Sequence, residues 1–163
     1  MASTALTRVV ATFGFVGLLR PAPGTWGSLA AIVLAVPMVS FGGAGALVMG
    51  AVTAFALGLW ATEAEVGPGD HDPSFIVIDE VAGQWIAALP LAALTPQVIL
   101  QDVRVIGWFG VSFLLFRLFD IWKPWPVSWA DRRSDALGVM LDDVLAGAMA
   151  AAVLAVLIFA VGP

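Results

Sequence analysis

Three long stretches carry no charged residue: Ser28 to Thr62, Val81 to Gln101 and Val144 to Pro163. A hydrocarbon layer of roughly 30 Å takes about 20 apolar residues as helix, so each stretch is long enough for a membrane segment. The first would reach about 50 Å as a single helix at 1.5 Å per residue. It should therefore break, and Pro37 with the run Phe41-Gly42-Gly43-Ala44-Gly45 marks the place. This predicts a short helix near 28–40, which by its length does not span comfortably, and a fuller one near 45–63. After the polar loop Glu63 to Pro73, Ser74 reads as the N-cap of a third helix over 75–94, kinked near Pro90. A fourth helix over 104–122 stops at Lys123-Pro124-Trp125-Pro126. A charged loop from Lys123 to Asp135 leads into a fifth over 137–161. Val9 to Leu19 suits a short interfacial helix, retained because Arg20-Pro21-Ala22-Pro23 offers no convincing signal cleavage site. The expectation is one all-α domain over 1–163, a polytopic helical membrane bundle of about five segments.

Composition supports a bilayer protein, with 61% hydrophobic and only 12% charged residues among 163. The absence of cysteine excludes thiolate metal sites and cysteine-dependent phosphatase chemistry. No basic stripe suggests nucleic acid. When the amino terminus is placed in the cytoplasm and the chain is traced through the five segments, Arg8, Arg20, Arg117, Lys123, Arg132 and Arg133 fall at the cytoplasmic face and Arg104 alone lies outside. That placement satisfies the positive-inside rule. The acids gather at the same face with Asp102 as the exception, which the rule does not require. Trp122, Trp125 and Trp129 read as an interfacial anchor.

The acids form three groups at the ends of predicted helices: Asp79-Glu80, Asp120 and Asp142-Asp143. Carboxylates at that depth are costly unless paired, hydrogen-bonded or bound to a cation. Oxygen donors without a histidine or cysteine cluster favour magnesium, manganese or calcium over zinc. The blander role for Asp142 and Asp143 is to cap the fifth helix. Arg117, Asp120 and Lys123 succeed one another at i, i+3, so the two cations could grip a phosphate along one side of a helix, or else pair with the acids or snorkel to headgroups. Gly27 and Ser28 could offer a backbone N–H and a hydroxyl to an anion at a helix start, although no Walker lysine follows. His71 stands between Asp70 and Asp72, where flanking acids could make it a proton donor. Gly83 and Gly147 each lie one turn beyond a carboxylate, Asp79 and Asp143, which permits close helix approach.

Four blocks together resemble the phosphatidylglycerophosphatase A family: Pro23-Gly24-Thr25-Trp26-Gly27-Ser28-Leu29; His71-Asp72 with Ile78-Asp79-Glu80 and Gly83; Phe116-Arg117-Leu118-Phe119-Asp120-Ile121-Trp122-Lys123-Pro124-Trp125-Pro126; and Gly138-Val139-Met140-Leu141-Asp142-Asp143 with Ala146-Gly147. The resemblance implies magnesium-dependent hydrolysis of phosphatidylglycerophosphate to phosphatidylglycerol and inorganic phosphate at the bacterial inner membrane. On that reading Asp79, Glu80, Asp120, Asp142 and Asp143 are the candidate metal ligands. Asp79, Glu80, Asp120, Lys123, Asp143 and His71 are the candidate catalytic residues, and Thr25, Ser28, Arg117 and Lys123 the candidate contacts to the phosphorylated glycerophospholipid. The main alternative is a small divalent-cation transporter or channel, since intramembrane carboxylates often mark ion pathways. Such a protein should carry ligands near mid-bilayer, whereas these acids lie within roughly two turns of one inferred face.

Overall fold

The computed structural model describes residues 4–66, 73–94 and 103–162, and no strand occurs among them. Helix α1 spans Ala5–Ala11 and a 3-10 turn follows at Val16–Leu18. Helix α2 runs Pro23–Glu65, α3 Ile78–Ala87, with a second 3-10 turn at Leu89–Ala93. Helices α4, Val103–Trp122, α5, Val127–Asp131, and α6, Ala136–Val161, complete the chain.

Helix α2 is bent at Gly43, whose φ of 58° and ψ of −150° lie where only glycine sits without strain. Two contacts show how sharply it turns back. A Cβ on Gly27 would lie 2.8 Å from the Val77 side chain, and one on Gly58 would lie 3.0 Å from that of Ile78. Positions on either side of the bend thus meet consecutive residues of one segment, so α2 is a hairpin with both ends at the same side of the bundle. Its arms, 23–42 and 44–65, are roughly 20 residues each, or about 30 Å. The glycine run predicted this break; Pro37 stays inside the first arm and does not end it. That arm begins at Pro23, five residues before the predicted start, because proline suits the first helical turn, where its missing N–H has no partner to lose.

Helix α3 lies in the mouth of this hairpin. The Trp85 indole N–H donates to the Ala31 carbonyl at 2.9 Å on the first arm, while a Cβ on Gly50 of the second would sit 3.0 Å from the same indole. The buried ring thus keeps a partner for its only polar atom. With 10 residues α3 is about 15 Å long and covers only half a bilayer. Among the described residues, helices α2, α4 and α6 are the three that are long and apolar enough to cross a membrane. The predicted third segment over 75–94 is therefore shorter than expected and gives way to a 3-10 turn at Pro90, which has no N–H to continue an α-helix. Ser74 does not cap it, since Val77 precedes the first turn and makes no side-chain bond there.

Helices α4 and α6 run antiparallel, with Arg104 beside Val161 and Gly162 at the far end of the bundle. The core between the helices is built from Leu47, Val81, Phe109, Met140 and Leu154 with many alanines. Between helices in lipid, close packing rather than loss of water-exposed area supplies the attraction, which suits small residues at the contacts. Large apolar side chains face outward instead: Phe41, Met49, Leu114, Ile121 and Phe159 are all exposed. Trp122, Trp125 and Trp129 are exposed too, at the end where α4 stops.

The amino-terminal segment is a strap rather than one interfacial helix. After α1 the chain turns through Phe13 and Phe15, both at positive φ. Arg8 pairs with Glu65 at 3.0 Å and stacks over the Phe75 ring at 3.5 Å, and the Thr7 hydroxyl donates to Glu65 at 2.7 Å.

Candidate active site

The segment entering α3 is fixed before the helix begins. The Val77 N–H donates to the Ala11 carbonyl at 2.9 Å and the Ile76 N–H to that of Pro73 at 2.9 Å. This sets the direction of the first turn of α3, where Asp79 and Glu80 sit. Helix α6 starts with Asp135 as its cap, accepting from the Gly138 N–H at 2.9 Å. Asp142 and Asp143 lie two turns farther in, so the capping role considered for them belongs to Asp135. Helix α4 delivers Arg117 and Asp120 in its last turns and ends at Lys123, whose φ of 49° turns the chain aside.

These ends converge on one cavity of about 180 Å³, lined by Asp79, Glu80, Arg117, Asp120, Lys123, Asp142 and Asp143 together with Gly24 and Thr25 from the start of α2. A Cβ on Gly24 would meet the tip of the Glu80 side chain, so the start of α2 lies close against that carboxylate. Helices α3 and α6 touch through backbone. A Cβ on Gly83 would lie 2.5 Å from the Asp143 carbonyl oxygen, and one on Gly147 would overlap the Gly83 carbonyl. That contact brings together the carboxylates one turn away.

The five acids divide into two kinds. Asp79, Glu80 and Asp143 each place a carboxylate oxygen within 4.8 Å of the other two, with Asp79 and Asp143 buried. The other two are held by cations. Asp120 pairs with Arg117 at 2.6 Å, and Asp142 accepts from Lys123 Nζ at 2.8 Å. Lys123 also bonds Asp131 of α5. Burial opposes the Lys123 ammonium, but its bonds to Asp131 and Asp142 outweigh that and hold its pKa above the ordinary lysine value. Arg117 comes within 4.0 Å of Glu80 while bonded to Asp120.

Three clustered carboxylates repel one another in a region of low dielectric, and a multivalent cation offsets that cost. All the donors are hard oxygens, which fits magnesium or a similar ion. The described residues therefore fit a metal at Asp79, Glu80 and Asp143. Thr25 lines the cavity, but Ser28 does not. Its side chain is buried, donating to the Gly24 carbonyl at 2.8 Å and lying 3.5 Å from Arg117. Because α2 starts at Pro23, the N–H groups of Gly27 and Ser28 lie inside the helix and are not offered to an anion. His71 lies outside the described residues. Sequence reasoning missed Asp131, eight positions after Lys123 in a loop with several charges, and nothing in the pattern distinguishes it from its neighbours.

The phosphatidylglycerophosphatase A family model matches residues 9–158. Phosphatidylglycerophosphatase A of Haemophilus influenzae is 37% identical over 132 residues, 80% of this chain and 75% of the relative. The Escherichia coli protein of the same name is 38% identical over 87 residues, 53% of this chain and 45% of that protein. A protein of Bacteroides thetaiotaomicron, provisionally named a phosphatidylinositol-3-phosphatase, is 33% identical over 86% of both chains. No solved structure matches the chain.

Proposed function

The chain belongs to the phosphatidylglycerophosphatase A family, a phosphatase family of phospholipid synthesis, and from that premise we propose that it removes the terminal phosphate of phosphatidylglycerophosphate at this carboxylate cavity. The observation that carries the reading is the convergence of Asp79, Glu80 and Asp143 to within 4.8 Å beside Arg117 and Lys123. Magnesium is the ion assigned to the three carboxylates, and when bound it would polarise the phosphoryl oxygens and lower the pKa of a coordinated water.

The chain's own residues account for the rest. Arg117 and Lys123 line the cavity as fixed positive charges and offset the negative charge that builds as the phosphorus–oxygen bond to glycerol breaks. Asp120 and Asp142 hold those two cations in place, so neither must reorganise during the reaction. Thr25 at the start of α2 is assigned to the headgroup. Water supplies the new oxygen on phosphorus, and the departing glycerol oxygen takes up a proton, for which His71 is the assigned donor. The acyl chains remain in lipid, since the cavity lies at one end of the bundle. We assign that end to the cytoplasmic face of the bacterial inner membrane on the distribution of basic residues. A transporter is disfavoured because the converging carboxylates lie at one end, whereas the opposite end presents Arg104 among the described residues.

The test is phosphate release by the purified protein in mixed micelles, with phosphatidylglycerophosphate and phosphatidylinositol-3-phosphate compared as substrates, with and without magnesium. Metal-dependent release from the first at a clearly higher kcat/KM is expected. Release that persists in metal-free protein overturns the mechanism, and preference for the inositol lipid overturns the substrate.

A further inference from the structure

Lys123 is held from two elements other than its own. Its Nζ donates to Asp142 Oδ2 of α6 at 2.8 Å and also to Asp131 Oδ1 of α5. Asp142 lines the cavity together with Lys123, whereas Asp131 is not part of that lining. An ammonium carries three N–H donors, so two go to these carboxylates and one remains. With a single partner the group would pivot about that one bond on its flexible four-carbon stem. A second partner from another direction removes the pivot.

Asp131 is itself placed by packing rather than by the lysine. Val127 and Ala130 of α5 are completely buried, and Val127 shares a packed cluster with Phe116 of α4 and Ala146 of α6. A Cβ on Gly138 would lie 3.1 Å from the Ala130 carbonyl oxygen, which sets the end of α5 against the first turn of α6. Between Lys123 and α5 the chain passes through Pro124 and Pro126, whose φ angles are fixed by their rings. The Asp131 side chain is 42% exposed and that of Lys123 28%. An ion pair so open to solvent contributes little to stability, so the fold gives a weak reason for it.

We propose that Asp131 is a positioning residue for Lys123: carboxylates of α5 and α6 hold two of its N–H groups and leave the third directed into the cavity, at the phosphoryl group under transfer. This inference rests on the reading of Lys123 as a contact to the substrate phosphate. It adds a residue outside the cavity to those that set the geometry of the reaction.

The experiment is a double-mutant cycle on the purified protein in mixed micelles, with phosphate release from phosphatidylglycerophosphate followed at saturating magnesium. Wild type, Asp131→Ala, Lys123→Met and the double variant are compared, each with its thermal midpoint. A catalytic group misplaced by 1 Å costs about 100-fold, and Asp142 still restrains the lysine, so Asp131→Ala is expected to lose about 10-fold in kcat with an unchanged midpoint. In the Lys123→Met background the same substitution should cost nothing further, because the group through which it acts is gone. A merely structural role gives the same loss in both backgrounds and overturns the proposal, as does wild-type kcat in Asp131→Ala. Should Lys123→Met not fold, Lys123→Gln takes its place in the cycle. Wild-type kcat in the Lys123 variant overturns the phosphate contact, and this inference with it, while absence of release by the wild-type protein overturns the proposed substrate.

Discussion

Gly147 of α6 lies directly against the carbonyl of Gly83 of α3, so closely that a Cβ on Gly147 would overlap that oxygen and sit 2.9 Å from its carbon. The crowded atoms are backbone on one side, so neither can swing away as the tip of a side chain would. Asp143 and Asp79 each stand one turn from these glycines, and the carboxylate separation is inherited from the glycine contact. Gly147→Ala must push α3 and α6 apart by roughly 1 Å, and a displacement of that size typically costs about 100-fold in rate. The variant is expected to stay in the membrane, lose metal affinity and lose about two orders of magnitude in turnover. Metal titration and phosphate release check this, and unchanged affinity would show that the glycine contact does not set the site.

The strap formed by α1 makes a different forecast. The Glu65 side chain is 2% exposed and depends on Arg8 and Thr7 at the end of the α2 hairpin. Arg8 is 41% exposed, so solvent screens much of the pair and the loss on Arg8→Ala is expected at about 1 kcal/mol. The missing stack on Phe75 adds to it, because Phe75 belongs to the segment that leads into Asp79. Thermal denaturation should show a lower midpoint for Arg8→Ala and an intermediate one for Arg8→Lys, with turnover at low temperature close to normal. Loss of activity without loss of stability would contradict a strap role.

The sequence made some of these elements plain and concealed others. Helices α4 and α6 start within one residue of the expected positions because the apolar runs have sharp charged or proline boundaries. The hairpin was legible in Gly42-Gly43-Ala44-Gly45, since no other residue accepts the dihedral angles of Gly43. The start of α3 was not, because Val77 gives its N–H to Ala11, a tertiary bond that no local pattern announces. The site acids were visible as charges in an apolar chain. Their division into three that converge and two that hold Arg117 and Lys123 depends on helix rotation, and i, i+3 spacing alone leaves that open.

Sidedness follows from the hairpin. Both ends of α2, the start of α3, the end of α4 and the start of α6 share one end of the bundle, so Ser134 and the cavity belong to the same face. A cysteine introduced at Ser134 is expected to react with an impermeant thiol reagent from the cytoplasm, and one at Gln101, which lies outside the described residues, from the other side. Reaction of Ser134→Cys from outside in intact cells would reverse the assigned orientation.

The sharpest forecast separates metal ligands from caps and cation holders. Replacing a ligating carboxylate by its amide preserves shape and most hydrogen bonding but removes the negative charge that a divalent ion needs. Asp79→Asn, Glu80→Gln and Asp143→Asn should remain folded, even with some gain in stability in the absence of metal, because each relieves repulsion within a cluster 4.8 Å across. Turnover should fall at least about 100-fold, a transition-state cost of roughly 2.7 kcal/mol. Asp120→Asn should lose a similar factor by another route, since it releases Arg117 from its 2.6 Å bond, and its metal affinity should change least of the four. Asp135→Asn is the control. It caps α6 and pairs with Arg133 on the exposed surface, and asparagine caps about as well as aspartate, so turnover should stay near the wild-type value. Metal titration alongside turnover distinguishes the classes. Wild-type metal affinity in all three of the first variants would remove Asp79, Glu80 and Asp143 from the metal site and leave the family's reaction to be carried by other residues of the cavity.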